Sequence, residues 1–178
     1  MVSKKYAADY RLENVRDKHG KLKTVAVYRG TRYTFKASPQ AVRRAATLYA
    51  LLTALSVICF GVILFLNTSV LRQFYVLLPV LCCLLPLGYL TIAVMYTFTS
   101  KLPLTRERRD KICDRLAHTT VLLIFFSGVS LLGAGVAVAL SYATMEWQTW
   151  IYFIAVLVIF TSSCVMQRKK NVFDAVPV

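Results

Sequence analysis

The stretch Lys101–Arg115, KLPLTRERRDKICDR, is a basic island that lies between two long uncharged runs. No Asp, Glu, Lys or Arg occurs between Arg72 and Lys101, and none occurs between Arg115 and Glu146. Because the hydrocarbon core of a bilayer needs about 20 apolar residues per helix, each run is long enough to form a membrane span. The island therefore predicts a loop that joins two helical hairpins.

Four segments are apolar enough and long enough to cross a membrane, which agrees with a hydrophobic content of 57% over 178 residues. The predicted fold class is an all-α integral membrane protein, a four-helix transmembrane bundle of two helical hairpins with a small N-terminal β-hairpin or meander. The predicted division is a β unit at 1–38, spans with their helical starts at 39–66, 74–98, 119–140 and 147–166, outer loops at 67–73 and 141–146, the basic loop and helix start at 99–118, and a tail at 167–178.

Positive charge is concentrated on one side of this arrangement. Residues 1–44 hold 12 Lys and Arg, residues 99–116 hold 6 and residues 167–178 hold 3, so 21 of 22 share one side and only Arg72 falls in an outer loop. The positive-inside rule predicts a multi-pass protein of a cell membrane with both termini in the cytoplasm. Topology and attraction to anionic inner-leaflet lipids account for the net charge of +14. The basic residues form no reader motif or stacking platform, so no nucleic-acid partner is expected.

The first 38 residues are expected to form a small three-stranded meander in the cytoplasm. The segments YRLENVRD (10–17), TVAVY (24–28) and RYTF (32–35) have the alternation or β-branched content of strands, and KHGK (18–21) supplies a turn. An isolated unit of this size buries too little apolar surface to be stable. We therefore expect it to lean on the helix ends, a second copy or another protein.

Several residues have the chemistry of helix ends and membrane boundaries. Ser38–Pro39 begins a helix that continues into the first span, because Ser is a good N-cap and Pro suits the first helical position. Thr105 is expected to cap the helix that becomes the third span. Trp147 and Trp150 are predicted aromatic anchors at the outer interface. The C-terminal segment 171–178, NVFDAVPV, is expected to be mobile.

Three rows of small residues, spaced four apart, are predicted to pack helices closely. They predict that the third span lies at the centre of the bundle or of a homodimer, and that the partner is another membrane protein or a second copy. The rows are Ala46, Ala50 and Ala54 in the first span, and Gly133, Ala137 and Ser141, and Gly135 and Ala139, in the third.

The second span carries Pro79, Cys82, Cys83 and Pro86 on one helical face. Each proline removes a hydrogen bond and kinks the helix. One interpretation is a hinge or a soft-metal contact, and the other is a kinked helix that packs on its neighbours with Cys as a small hydrophobe. The sequence contains no C-x-x-C motif and no cysteine in an outer loop, so neither a dithiol centre nor an extracellular disulfide is predicted.

A second candidate cluster lies where the basic island enters the third span. Asp110, Asp114 and His118 follow each other at four-residue steps, and such a row can hold a divalent metal. The same side chains also suit ordinary helix pairing with neighbouring basic residues. No further ligands complete a coordination shell, so the prediction includes no metal, no cofactor and no catalytic residue.

The spans themselves contain no Asp, Glu, Lys or Arg. Ion-coupled transporters, proton relays and voltage sensors place ionisable groups there, so these classes are excluded. Three hypotheses follow: a non-enzymatic accessory, assembly or regulatory subunit, a transporter or channel for a neutral or lipid-like solute, and a membrane enzyme with a cytoplasmic-face site. The first is preferred, and the protein is not expected to be an enzyme.

Overall fold

The computed structural model describes residues 4–16, 22–100, 102–140 and 146–177. In chain order its strands and helices are β1 (Tyr10–Arg16), β2 (Leu22–Tyr28), β3 (Tyr33–Phe35), α1 (Pro39–Phe65), α2 (Phe74–Cys82), α3 (Leu84–Thr99), α4 (Arg106–Arg109), α5 (Arg115–Ala139), α6 (Trp147–Arg168) and β4 (Ala175–Pro177). A π-helical turn at Asp110–Asp114 joins α4 to α5, and 3₁₀ turns lie at Lys4–Asp9, Val70–Arg72 and Lys170–Phe173.

Four helices are long and apolar enough to span a membrane, which confirms that part of the prediction. They are Pro39–Phe65, Phe74–Thr99, Arg106–Ala139 and Trp147–Arg168. At a rise of 1.5 Å per residue, the shortest is about 33 Å long, close to the thickness of a hydrocarbon core. The longest has 34 residues and measures about 51 Å, so its basic start extends beyond any such core.

The two predicted N-caps are confirmed. The Ser38 hydroxyl accepts a hydrogen bond from the Ala41 N–H at 3.3 Å, with Pro39 as the first helical residue. The Thr105 hydroxyl accepts from the Arg108 N–H at 3.4 Å. Each side chain satisfies an N–H group that has no partner within its helix, so local sequence sets where these two long helices begin.

Helix α5 contacts α6, α2 and α3, and α1 contacts α6 and α3. Buried hydroxyl groups join the helices at these contacts. The Tyr49 hydroxyl of α1 donates to the Met166 carbonyl of α6, and the hydroxyls of Ser130 in α5 and Tyr152 in α6 hydrogen-bond each other. In a bilayer, such bonds and close packing would replace the hydrophobic effect as the source of association between helices.

The predicted second span is divided into two helical segments. Pro86 has no N–H to donate to the Cys82 carbonyl, and the helix is interrupted at Cys83. The Cys83 thiol contacts the Pro79 carbonyl at 3.4 Å. The side chains of Pro79 and Pro86 are both buried, so the interruption lies within the packed bundle.

The N-terminal strands differ in part from the prediction. Strands β1 and β2 form an antiparallel hairpin, from Tyr10 opposite Tyr28 to Arg16 opposite Leu22. The predicted three-stranded meander is wrong, because β3 does not continue this sheet and instead pairs with the C-terminal strand β4. The predicted turn at 18–21 lies outside the described residues.

The structure of the C-terminal tail also differs from the prediction. The segment that was expected to be mobile forms the 3₁₀ turn Lys170–Phe173 and strand β4. Two features explain the difference: β3 offers a free strand edge, and the Phe173 side chain is buried beneath it. The tail therefore belongs to the folded structure at the end of the bundle that carries the basic island.

Candidate functional site at the basic end of the bundle

Strand β3 joins three segments that are far apart in the chain. On one edge, Tyr33, Thr34 and Phe35 lie opposite Pro177, Val176 and Ala175 of β4. On the other edge, the Tyr33 N–H donates to the Leu104 carbonyl at 2.9 Å, and the Leu104 N–H donates to the Tyr33 carbonyl at 2.8 Å. We call this assembly of β3, Leu104, the 3₁₀ turn Lys170–Phe173 and β4 the cap.

Phe173 is the centre of the cap. Its ring is almost fully buried and lies edge-on to Tyr49 and Phe35, with ring centroids 5.1 and 6.2 Å apart. Its carbonyl accepts a hydrogen bond from the Cys113 thiol at 2.9 Å. Because Tyr49 belongs to α1 and Cys113 to the long third helix, Phe173 fixes the tail against two helices at once.

The Cys113 thiol precedes the apolar run that begins at Thr119, and it lies under the tail. Burial raises the pKa of this thiol to about 11. The thiol therefore stays neutral at physiological pH, which matches its role as a hydrogen-bond donor to the Phe173 carbonyl. A neutral, half-buried thiol is a poor nucleophile, so Cys113 is structural.

The hairpin of β1 and β2 contacts the start of the long helix, one of the three supports that the sequence left open. The Tyr6 hydroxyl donates to a carboxylate oxygen of Asp110 at 3.0 Å. The Tyr28 hydroxyl accepts from the Arg106 N–H at 3.0 Å and donates to the Thr31 carbonyl at 2.7 Å. Two tyrosines thus hold the base of the hairpin against the helix that carries the basic island.

A glycine is required where the chain leaves β2. The N–H groups of Arg29 and Gly30 both donate to the Asp9 carbonyl, at 2.8 and 3.2 Å. A Cβ on Gly30 would lie 2.9 Å from the Asp9 Cβ and 2.7 Å from the Tyr28 hydroxyl oxygen. This close approach of two backbone segments holds Tyr28 in position to reach the helix.

Apolar side chains are exposed on the part of the hairpin that lies away from Tyr28 and the helix. Leu12 is 75% exposed and Leu22 is 71% exposed, and the pairing register places both on the face that carries Tyr10 and Tyr28. Within the described residues, β1 and β2 pair only with each other, so both outer edges are open. We call the region around Leu12 and Leu22 the hairpin tip.

Basic residues of the long helix stack on tyrosines near the boundary between cap and bundle. Arg109 lies over the Tyr33 ring at 5.7 Å and also pairs with Asp110 at 3.2 Å. Further along, Lys111 lies over Tyr96 at 5.6 Å and Arg115 over Tyr89 at 5.7 Å. Cation–π contacts of this kind hold these positive charges near the end of the bundle that carries the cap.

The residues of the candidate metal row have different surroundings in the structure. Asp110 accepts bonds from Tyr6 and Arg109, whereas Asp114 and His118 are exposed, and a His118 ring nitrogen lies 2.6 Å from the Asp114 carbonyl oxygen. The wider π-helical turn changes the angular spacing, so a four-residue step does not align Asp110 with Asp114. The part of the chain that the structure describes contains no group of three or more His, Cys, Asp and Glu that could hold a metal ion.

The first small-residue row of α5 lies at a helix contact. A Cβ on Gly133 would lie 3.3 Å from both the Tyr75 carbonyl oxygen and its ring, and Ala137 is fully buried. Pro79 cannot donate to this same Tyr75 carbonyl. The carbonyl that the proline leaves free thus faces the glycine that allows close approach. Ser141, the last member of the row, lies outside the described residues.

The row in α5 that holds Gly135 and Ala139 points away from the packed interior, and the row in α1 is buried only at its start. Gly135 and Ala139 are exposed, and nothing lies within 4 Å of a Cβ built on Gly135. In α1, Ala46 is buried, Ala50 is half-buried and Ala54 is exposed. Residues spaced four apart therefore do not all lie on the buried face of α1. That face contains Ala46, Tyr49, Thr53, Ser56 and Phe60.

Trp147 and Trp150 begin α6 at the end opposite the cap, and they are 68% and 56% exposed. Sequence reasoning missed Leu104, Phe173 and Tyr6, whose contacts build the cap and the base of the hairpin. One signal was available: Phe173 is the only aromatic residue after the last span, in a segment with Val172 and Val176.

No protein-family model, curated protein or solved structure is detectably similar to this chain.

Proposed function

We propose that this protein is a multi-pass protein of the cell membrane, with both termini in the cytoplasm, and that it acts as a non-enzymatic accessory or assembly subunit. The observation that carries the proposal is the hairpin tip, where Leu12 and Leu22 are exposed on a sheet with two open edges. Exposed apolar side chains beside free strand edges form a surface suited to a protein partner.

The membrane placement is supported by the four apolar helices and by the position of charge along them. The cap joins one strand of the N-terminal segment to Leu104 of the central loop and to the tail. Residues 1–44, 99–116 and 167–178, to which these three pieces belong, hold 21 of the 22 basic residues. Under the positive-inside rule, the cap and the hairpin tip face the cytoplasm and the anionic inner leaflet.

The spans supply a second surface for assembly. Gly135 and Ala139 are exposed on α5, and a partner helix can approach its backbone closely there. This partner is another membrane protein or a second copy of the chain. The hairpin tip and the outward face of α5 would then bind the cytoplasmic and membrane parts of one complex.

The proposal is tested by site-specific photocrosslinking in cells that make the full chain. A photoreactive residue at Leu12 or Leu22 is expected to give one discrete product with a second protein, which mass spectrometry identifies. The matched control is the same substitution at Val25, which is exposed on the opposite face of the hairpin. A product of equal yield from Val25, or no product from Leu12 and Leu22, contradicts a docking site at the tip.

The strength of the contact is tested with the partner that crosslinking identifies. Burial of a leucine side chain contributes about 1.5–3 kcal/mol, so Leu12→Asp is expected to weaken binding at least about tenfold. Val25→Asp carries the same charge on the opposite face and is expected to leave binding within about twofold. Equal weakening by both substitutions would indicate a general effect of charge and contradict the proposed surface.

A second candidate function, passage of a neutral or lipid-like solute, is favoured by the helix interruption at Cys83. If α2 and α3 move relative to each other there, Pro86→Ala restores a hydrogen-bond donor and stiffens the interruption. Solute flux into vesicles that contain the purified protein is then expected to fall by more than about tenfold. Unchanged flux with intact folding contradicts this candidate.

A further inference from the structure

A pocket of about 490 Å³ lies between the first turns of α1 and the end of α3, beneath β3. Its apolar wall contains Phe35 of β3, Val42 and Ala46 of α1, and Phe98 and Leu102 at the end of α3. Most of the lining is apolar, and the pocket is partly open to the surface. Its size falls within the range of pockets that hold small molecules.

Two hydrogen-bond donors face this apolar wall. Arg43 lines the pocket and is exposed, and within the described residues it makes no ion pair. Ser100 also lines the pocket, and among the described residues its buried hydroxyl oxygen has no hydrogen-bond partner. A buried hydroxyl without a partner is unfavourable, so an occupant with acceptor oxygens would stabilise it by accepting its hydrogen bond.

We propose that this pocket binds one anionic phospholipid, with its phosphate at Arg43 and Ser100 and the upper part of one acyl chain against Phe35, Val42 and Phe98. The inference rests on the membrane placement given under Proposed function. The residue types match the two parts of such a ligand: a guanidinium and a hydroxyl donate to phosphate oxygens, and aromatic and branched side chains bury methylene groups.

The position of the pocket favours a lipid over a free anion. Arg43 lies one turn before the buried Ala46, and Phe98 is the last residue of the apolar run of the second span. The pocket therefore lies at the boundary between the apolar part of the bundle and its charged end. An inorganic anion would leave the apolar wall in contact with water, whereas a lipid covers it.

The neighbouring arginine provides a matched control. Arg44 is adjacent in sequence, exposed and equally charged. It shares a surface cleft with Arg43 and lines another with Lys169 and Val172, but it does not line the proposed pocket. If binding depends only on surface charge near the bilayer, the two arginines contribute equally. If the pocket holds the lipid, Arg43 contributes far more.

The test is native mass spectrometry of the purified full chain released from nanodiscs of phosphatidylglycerol or phosphatidylcholine with identical acyl chains. One phosphatidylglycerol per chain is expected to remain bound under conditions that remove phosphatidylcholine. Arg43→Gln is expected to weaken retention about tenfold, the factor for loss of one charge-assisted hydrogen bond, and Arg44→Gln by less than about twofold. Val42→Trp fills the pocket and is expected to abolish retention.

Equal retention of the two lipids, equal loss with Arg43→Gln and Arg44→Gln, or full retention by Val42→Trp each overturns the proposal. Displacement of the lipid by inorganic phosphate alone also overturns it, because the acyl chain would then contribute nothing. Far-UV circular dichroism and the melting temperature show whether Val42→Trp is folded, and Arg43→Gln changes only an exposed side chain. The chain is tested without a partner protein, so failure here is separate from failure of crosslinking at Leu12.

Discussion

The bundle and the cap are built by different kinds of contact. In the bundle, each long helix satisfies its own backbone hydrogen bonds, and signals next to the helix, such as Ser38 and Thr105, set where it begins. In the cap, a strand of only three residues takes its hydrogen bonds from Leu104 and from β4. A helix can therefore form from local sequence, whereas the cap needs three distant segments to meet.

This difference predicts different responses to substitution. Loss of a cap residue is expected to open all three segments together, because each is held by the others. Loss of a contact in the bundle is expected to weaken one helix pair. The following substitutions test that contrast, in order of decreasing expected effect.

Phe173→Ala is expected to destabilise the cap by about 3 kcal/mol, the usual cost of removing a buried aromatic ring. Hydrogen exchange should rise together at the Tyr33 and Lys36 amides, which donate to Leu104 and Asp174 in the folded cap. The control is Val176→Ala in the same strand, where an exposed side chain changes stability by less than about 0.5 kcal/mol. Increased exchange at one amide without the other contradicts the cooperative cap.

Gly133→Leu is expected to destabilise the bundle by about 2 kcal/mol, because the added side chain meets the Tyr75 backbone and ring. Gly135→Leu places the same side chain two residues away in open space, so the folded chain should keep its stability. Thermal unfolding of the purified protein in detergent measures both. If the two variants melt alike, the contact between α2 and α5 is not as described.

Gly135→Leu has a second readout that concerns assembly. If the outward face of α5 binds a partner helix, this substitution should reduce the amount of complex recovered in detergent while the chain stays folded. Gly61→Leu in α1 is a suitable control, because a Cβ there also meets nothing within 4 Å. Equal recovery of the complex with both variants would remove α5 as the partner surface.

Tyr28→Phe is expected to cost about 1 kcal/mol at the base of the hairpin, because one hydroxyl makes two hydrogen bonds to other segments. Tyr10→Phe is the matched control on the facing ring, since within the described residues the Tyr10 hydroxyl makes no hydrogen bond. Exchange of the Arg106 amide reports the change. Equal protection of this amide in both variants would show that the hairpin is held by other contacts.

The stability of the cap is expected to depend on pH through Cys113 only under alkaline conditions. Burial raises the pKa of Cys113 to about 11, so its neutral form is the one that the folded cap stabilises. The contribution is complete below the ordinary thiol pKa and is lost as the pH rises toward about 11. Alkylation of Cys113 should be slow in wild type and fast in Phe173→Ala. The protection factors of the cap amides, which correct for the base catalysis of exchange itself, should not fall at alkaline pH in Cys113→Ser. An alkaline fall that persists in this variant would assign the effect to another group.

The sequence predicted the bundle well for a physical reason. Uncharged runs of about 20 residues have few alternatives to a spanning helix. The N-cap residues Ser38 and Thr105 and the hairpin of β1 and β2 also follow from neighbouring residues, whereas the contacts of Tyr6 and Tyr28 with the long helix do not. Ala50 and Ala54, which were predicted to pack helices, show what local sequence cannot predict. The spacing of residues within one helix does not determine which face the neighbouring helices cover.

The cap was not predicted because its contacts are long-range. RYTF has the pattern of a strand, but nothing in those four residues distinguishes β2 from the tail as its partner. The tail NVFDAVPV was expected to be mobile because it is short, and its own sequence does not show that Phe173 packs against Tyr49 and Phe35. The four-residue steps that made Asp110, Asp114 and His118 weak metal candidates assume a regular α-helix, whereas Asp110–Asp114 forms a π-helical turn.

The most direct test of the account is a disulfide between Thr34→Cys and Val176→Cys in a chain whose native cysteines are replaced. These residues lie opposite each other in an antiparallel pair, where Cα atoms are about 4.5–5.5 Å apart, within the range of a disulfide. Mild oxidation should join them within the monomer, and the control pair Thr24→Cys and Val176→Cys should stay reduced. No disulfide from the first pair, or equal oxidation of both pairs, would contradict a cap that joins the two ends of the chain.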